Sequence, residues 1–221
     1  MCYIVNRAAQ PPDLAGGFDS PGWSAAPAMP IACVRPEGSD HVPEAALKLQ
    51  YDATGIYGLF QVRDRYVRCV ATKWNDPVCC DSCVEFFVQP AGGTGYNNFE
   101  INACGTMLAM HVDNSRRDQR GLAQARFLTE QEREGIRVFH TMPDSLPEEL
   151  PGPVEYRVGF FLPFSLFRRT NHAPVPVKGT VWHANAYKCG DQTSHPHWLS
   201  WRPVSRLNFH LPDCFGQLIF D

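Results

Sequence analysis

Apolar and polar residues alternate along much of this chain in runs of five to nine residues, and turns rich in proline and glycine separate the runs. Side chains on an extended strand point to opposite faces with period two, so each run predicts a strand with one buried face and one polar face. Leu47, Leu49 and Tyr51 alternate with Lys48 and Gln50. Over 56–62, Ile56, Phe60 and Val62 share a face, with Gly58 between them. Over 83–88, Val84, Phe86 and Val88 fall on one face, and Cys83, Glu85 and Phe87 on the other. Over 99–103, Phe99 and Ile101 oppose Glu100 and Asn102. Further strands are expected over 135–141, 156–162, 180–188 and 216–220, and the Gly-rich stretch 89–98 is a long turn between two strands. Helical periodicity is scarce. Residues 119–134 read as a short helix or a solvated loop, and 164–169 as one helical turn after Pro163. Residues 141–153 hold four prolines and three acids and read as a surface loop. The pattern predicts an all-β, antiparallel β-sandwich of jelly-roll type with one or two short helices in loops. It forms a single domain over 1–221.

Composition narrows the function classes. Only 19% of the 221 residues are charged and the formal net charge is −3. A nucleic-acid groove needs a positive surplus, so nucleic acid is not an expected partner. No apolar run approaches the roughly 20 residues that span a bilayer, so no membrane partner is expected. Residues 1–10 show no apolar h-region, so no signal peptide is expected. The cysteines are Cys2, Cys33, Cys69, Cys79, Cys80, Cys83, Cys104, Cys189 and Cys214. An odd count of nine cannot pair fully within one chain. Zinc favours two Cys-x-x-Cys pairs, but only Cys80-Asp-Ser-Cys83 has that spacing, with Cys79 adjoining. His195-Pro-His197 would have to supply the remaining ligands. The expectation is therefore no metal ligands, and thiols that act as small buried apolar residues in a reducing compartment. That favours the cytoplasm, with secretion the alternative if the chain is an excised module.

The polar faces carry the candidate chemistry. If the strands flanking the Gly-rich turn pair, Glu85, Glu100 and Asn102 lie on one sheet face, with Tyr96 and Asn98 on it or at its rim. A sugar hydroxyl both donates and accepts, so carboxylates and amides complement it. Aromatic rings cover the apolar C–H face of a sugar ring. Hard carboxylate oxygens would also suit calcium. A pair of glutamates also admits a glycoside hydrolase reading, with Glu85 and Glu100 as acid and base or nucleophile. A polar outer face is equally the default of an antiparallel sheet with no small ligand, which leaves a structural interaction module open. In Trp182-His183-Ala184-Asn185-Ala186-Tyr187, period two places His183, Asn185 and Tyr187 on one face. This strand is expected beside Glu85 and Glu100, completing a concave face. His195, His197, Trp198 and Trp201 follow it.

Several segments resemble family 9 carbohydrate-binding modules. They are Pro11-Pro12-Asp13-Leu14-Ala15-Gly16-Gly17 followed by Trp23, and Leu49-Gln50-Tyr51-Asp52-Ala53-Thr54-Gly55-Ile56-Tyr57 followed by Val62-Arg63-Asp64. The next are Asp81-Ser82-Cys83-Val84-Glu85-Phe86-Phe87, and Gly95-Tyr96 with Phe99-Glu100-Ile101-Asn102. Ser200-Trp201 and Phe215-Gly216-Gln217-Leu218 complete the series. The resemblance implies a two-sheet sandwich that binds mono-, oligo- or polysaccharide without catalysis, in association with a glycoside hydrolase. Structural calcium is common in that family. In its members two Trp rings sandwich the sugar, the Glu of a Val-Glu pair contacts it, and a basic residue on the next strand assists. Those positions fall here on Cys79, near Phe209, on Glu85 and on Glu100, so this chain departs from the family at all but the Glu. The ligand-binding residues expected are Glu85, Glu100, Asn102, Trp74, His183, Asn185, Tyr187, Trp201 and Phe209. The related DOMON sandwiches, some of which hold haem, make Met107, Met110, His111 and His183 candidate axial ligands under an alternative reading.

Overall fold

The computed structural model describes residues 2–119 and 121–221. In chain order the strands are β1 (Cys2–Arg7), β2 (Met29–Pro30), β3 (Cys33–Val34), β4 (Glu44–Tyr51), β5 (Gly55–Asp64) and β6 (Val67–Cys69). Then come β7 (Cys83–Gln89), β8 (Tyr96–Asn102), β9 (Met107–Asp118), β10 (Gly121–Phe127), β11 (Arg137–His140), β12 (Leu146–Leu150) and β13 (Val154–Pro163). Helix α1 (Phe164–Asn171) precedes β14 (Val181–Cys189), β15 (Trp198–Ser200) and β16 (Gly216–Phe220).

One sheet runs β10-β9-β8-β7-β14-β16-β1 and the other β1-β4-β5-β13-β11. Strand β1 belongs to both: residues 2–5 pair in parallel with β16, and Asn6 and Arg7 pair in parallel with β4. The other long neighbours are antiparallel, and short turns join β4 to β5 and β7 to β8. This is the β-sandwich that the alternation predicts.

The apolar faces named above meet between the sheets. Val84, Phe86, Val88, Phe99, Ile101, Trp182, Ala184 and Ala186 pack against Leu47, Leu49, Phe60, Val62, Val158 and Phe160 in one buried cluster. Gly58 lies directly opposite Phe160 across β5 and β13, and a Cβ there would sit 2.1 Å from that ring. The missing side chain is what lets the ring lie flat over the strand. Helix α1 closes one end of the core. Its Phe164 and Phe167 make edge-to-face contacts with Trp182 at 6.1 and 5.1 Å between ring centroids.

Two segments differ from their sequence reading. Residues 119–134 are not helical: β10 occupies 121–127 and pairs with β9, while residue 120 lies outside the described residues. The Arg/Gln/Ala composition that suggests a helix or loop suits an edge strand, where charge blunts further pairing. Within 141–153, β12 pairs with β6 despite its prolines. An edge position tolerates a residue with no N–H to donate.

A second apolar cluster lies on the outer face of the first sheet, where Phe87, Tyr96, Val112, Tyr187 and Cys189 pack with Val204 and Phe209 of the segment 201–215. That segment covers the face and forms one wall of the cavity described next.

Candidate functional site

Glu85 and Glu100 stand directly opposite each other across β7 and β8, and Tyr187 stands opposite Glu85 on the next strand. All three are buried. A cavity of about 240 Å³ opens above them, lined also by Cys79, Phe87, Arg117, Cys189, Asp191, Trp198 and residues 207–210.

The wall is held by polar pins. Tyr187 donates from its hydroxyl to the Phe209 carbonyl at 3.0 Å, and its ring stacks on Phe209 at 4.0 Å. Asn185 donates to the Arg202 carbonyl at 3.0 Å and accepts from the Arg202 N–H at 2.9 Å. Burial holds His210 at a pKa of about 4, so the imidazole is neutral at physiological pH and accepts from the Tyr96 hydroxyl at 2.7 Å. Trp198 donates its indole N–H to Asp191 at 2.7 Å, and Asn98 donates its amide to Glu100 at 2.8 Å.

The electrostatics follow from crowding acids away from water. Burial pushes the Glu85 carboxyl well above the usual carboxylate range, and Glu100 across the ladder pushes it further. Burial raises Glu100 to about 7 against the pull of the Asn98 amide, and Asp191 adds to the rise. Asp191 is itself raised by burial. Two carboxyls this close do not both ionise readily, so near neutrality the pair retains a proton and offers both a donor and acceptors.

Of the residues expected at the site, Glu85, Glu100 and Phe209 line the cavity, and Tyr187 lies beneath it. Asn185 shapes the wall without lining it. The others stand elsewhere. Asn102 ends β8 and donates to the Ala71 carbonyl at 3.0 Å and to Asp81 at 2.9 Å, so it ties a turn together. Trp74 lines a separate groove beneath the Arg133 guanidinium, 4.6 Å from its ring centroid. His183 is exposed two residues beyond Asn185 on β14. Trp201 is buried in the inter-sheet core with its ring against Gly216. Trp198 and Trp201 are three residues apart and so fall on opposite faces: Trp198 reaches the cavity, and Trp201 joins Leu199 in the core.

The positions carried over from the resemblance do converge, since Cys79, Glu85, Glu100 and Phe209 all line this cavity. Arg117 on β9 supplies a cation from one strand further on. Sequence reasoning missed Phe87, Arg117, Cys189, Asp191, Leu207, Asn208 and His210. Phe87 and Cys189 share the parity of Glu85 and Tyr187 on their strands, so period two was a usable signal for those two.

The haem reading finds no bracket for an iron. Met107 faces the inter-sheet core and Met110 the outer cluster. His111 lies roughly 13 Å along the strand from Met107. Its ring nitrogens are engaged by Asn97 at 2.8 Å and Asp113 at 3.1 Å.

Calcium requires six to eight converging oxygens. Asp81 is saturated by Arg68, Asn102 and two backbone N–H groups. Asp52 accepts from Thr54, Gly55 and Tyr57. The one cluster of metal-ligating side chains found among the described residues contains two thiols. These residues do not fit calcium.

A sandwich of two mainly antiparallel sheets, with a cavity of acids and aromatic rings on the outer face of one sheet, has the plan of a β-sandwich binding module. The sequence profile of carbohydrate-binding family 9 matches residues 24–220, and the chain belongs to that family. Its fold is similar over its whole length to a protein of Bacteroides uniformis ATCC 8492 provisionally described as carbohydrate-binding. The two are 26% identical, with a TM-score of 0.83 and 99% of that chain covered. It is also similar to a family 9 module of Caldicellulosiruptor kristjanssonii solved with glucose, at 13% identity and a TM-score of 0.64. The match spans all of this chain and 96% of that one. A structure of a family 9 module from the same organism with cellotriose gives 14% identity and a TM-score of 0.63, with 100% and 94% covered. No curated protein matches the chain significantly.

Proposed function

We propose that the chain binds a saccharide in the cavity above Glu85 and Glu100, and does so without catalysis. The observation that carries this reading is the facing carboxyl pair at the base of a cavity whose walls include Trp198 and the Tyr187–Phe209 stack. A carboxyl pair that holds a proton both donates and accepts, which complements sugar hydroxyls. Trp198 and Phe209 offer carbon-rich surface to a ring C–H face. Arg117 takes the part of the basic residue that family members carry one strand earlier. About 240 Å³ suits one sugar ring rather than a long bound chain.

The test is calorimetry against a panel of mono- and disaccharides. Binding is expected in the micromolar to millimolar range, about 4 to 8 kcal/mol. Phe209→Ala and Glu100→Gln should each weaken it about tenfold or more. Absence of binding across the panel at millimolar sugar, or hydrolysis of an oligosaccharide that Glu85→Gln abolishes, overturns the reading.

A further inference from the structure

Behind the cavity floor, Cys83 on β7 stands directly opposite Cys189 on β14, and Glu85 is the next residue of β7 on the same face. All three are buried. One donor atom from each, two sulfurs and a carboxylate oxygen, lies within 4.8 Å of the other two. The Cys189 thiol donates to Glu85 Oε1 at 3.1 Å. We propose that Cys83, Cys189 and Glu85 bind a zinc-class metal ion through two thiolates and one carboxylate.

The geometry follows from the ladder. Directly opposite residues on antiparallel strands bring their Cβ atoms to about 5 Å, and i,i+2 neighbours share a face. Three donors therefore converge from two strands without any Cys-x-x-Cys spacing. Tetrahedral zinc with sulfur at about 2.3 Å and oxygen at about 2.0 Å places its ligand atoms roughly 3.5–3.8 Å apart. The present spacing needs only small side-chain rotations to reach that.

The surroundings favour a cation. Glu85, Glu100 and Asp191 line the cavity and outnumber the cations near it, Arg117 on the wall and the buried Lys188 ammonium beside β7. The thiols suit a borderline-soft ion rather than calcium. Glu85, Cys189 and Cys79 also line the open cavity, so an ion has an entry path and a fourth position facing it. On binding, two S–Zn bonds and one O–Zn bond form. The two thiol protons, and any proton on Glu85, leave to water, with no change of oxidation state. The two histidines that the spacing would recruit lie elsewhere: His197 is engaged with Lys188 at 2.7 Å, and His195 stacks on Tyr66 at 3.7 Å.

The experiment is titration of the reduced, chelator-treated full chain with Zn²⁺ and with Co²⁺ as a coloured probe, in the absence of any sugar. One zinc per chain at low micromolar or tighter affinity is expected, with a cobalt–thiolate charge-transfer band. Cys83→Ser and Cys189→Ser should abolish that band, Glu85→Gln should weaken zinc binding about tenfold or more, and Cys2→Ser should change nothing. Circular dichroism checks that each variant folds. Should the serine variants fail to fold, zinc X-ray absorption on the wild-type chain decides: at least two sulfur neighbours support the site, and a shell of only oxygen and nitrogen overturns it. Absence of zinc uptake, or a band that survives both serine substitutions, also overturns it.

Discussion

The Lys188 ammonium meets the Asp64 carboxylate at 2.9 Å inside the sandwich, joining β14 of one sheet to β5 of the other, with both side chains fully buried. Lys188 also donates to the Cys189 carbonyl at 2.9 Å and to His197 Nε2 at 2.7 Å. Asp64 is engaged by His41 at 2.7 Å and by the Arg65 N–H at 2.7 Å.

Removing one partner of such a pair strands the other charge away from water. Lys188→Met should therefore destabilise the fold by about 3–5 kcal/mol in urea unfolding. Lys188→Met combined with Asp64→Leu should recover most of that loss, because two apolar side chains leave no stranded ion. A double variant no more stable than Lys188→Met would show that the pair does not act as a unit.

The same network sets a pH dependence. Burial and the neighbouring Lys188 hold His197 at about 3, against the pull of Asp64, while an unfolded histidine titrates near ~6.5. Below that value the unfolded chain takes up a proton that the native chain refuses. This group therefore lowers stability as pH falls from about 6.5 toward 3, by at most about 1.4 kcal/mol per unit. His197→Asn should flatten the slope of stability against pH over that range, measured by urea midpoints at successive pH values. An unchanged slope would exclude His197 as its source.

Glu100 works in the other direction. Its native pKa of about 7 lies above the unfolded value of ~4.3, so its ionisation penalises the native state above neutrality and not near pH 4. In chelator-treated protein, Glu100→Gln should be more stable than wild type at pH 8 by on the order of 1–3 kcal/mol. The difference should vanish by pH 4. Stability gained with sugar affinity lost is the usual mark of a carboxyl kept for binding.

Gly58 tests the core. A methyl group there meets the Phe160 ring at 2.1–2.7 Å, inside the buried core cluster. Gly58→Ala should cost about 1–3 kcal/mol by thermal or urea melting, and Gly58→Ala with Phe160→Leu should be less additive than two distant changes.

How much was legible shows best in particular residues. Glu85 and Glu100 were expected on one face because their strands alternate cleanly and are joined by a Gly-rich turn. Tyr187 was expected beside them because β14 alternates equally cleanly. Trp74 and Trp201 were misplaced because an aromatic side chain marks burial or stacking without saying against which surface. Arg117, Asp191, Leu207, Asn208 and His210 gave no local signal, since their contribution comes from where loops and a far strand dock.

Alternation by itself determined which side chains of each strand face the core and the β-sandwich class, because side-chain direction on a strand is a local property of the backbone, and Pro163 marked the helical turn at α1. The tertiary structure alone decided that β1 switches sheets, that 201–215 folds over the outer face, and that the Cys189 thiol reaches Glu85 from 104 positions away. Those outcomes depend on which strands pair and in which register, and register is set by burial summed over the whole sandwich rather than by any one segment.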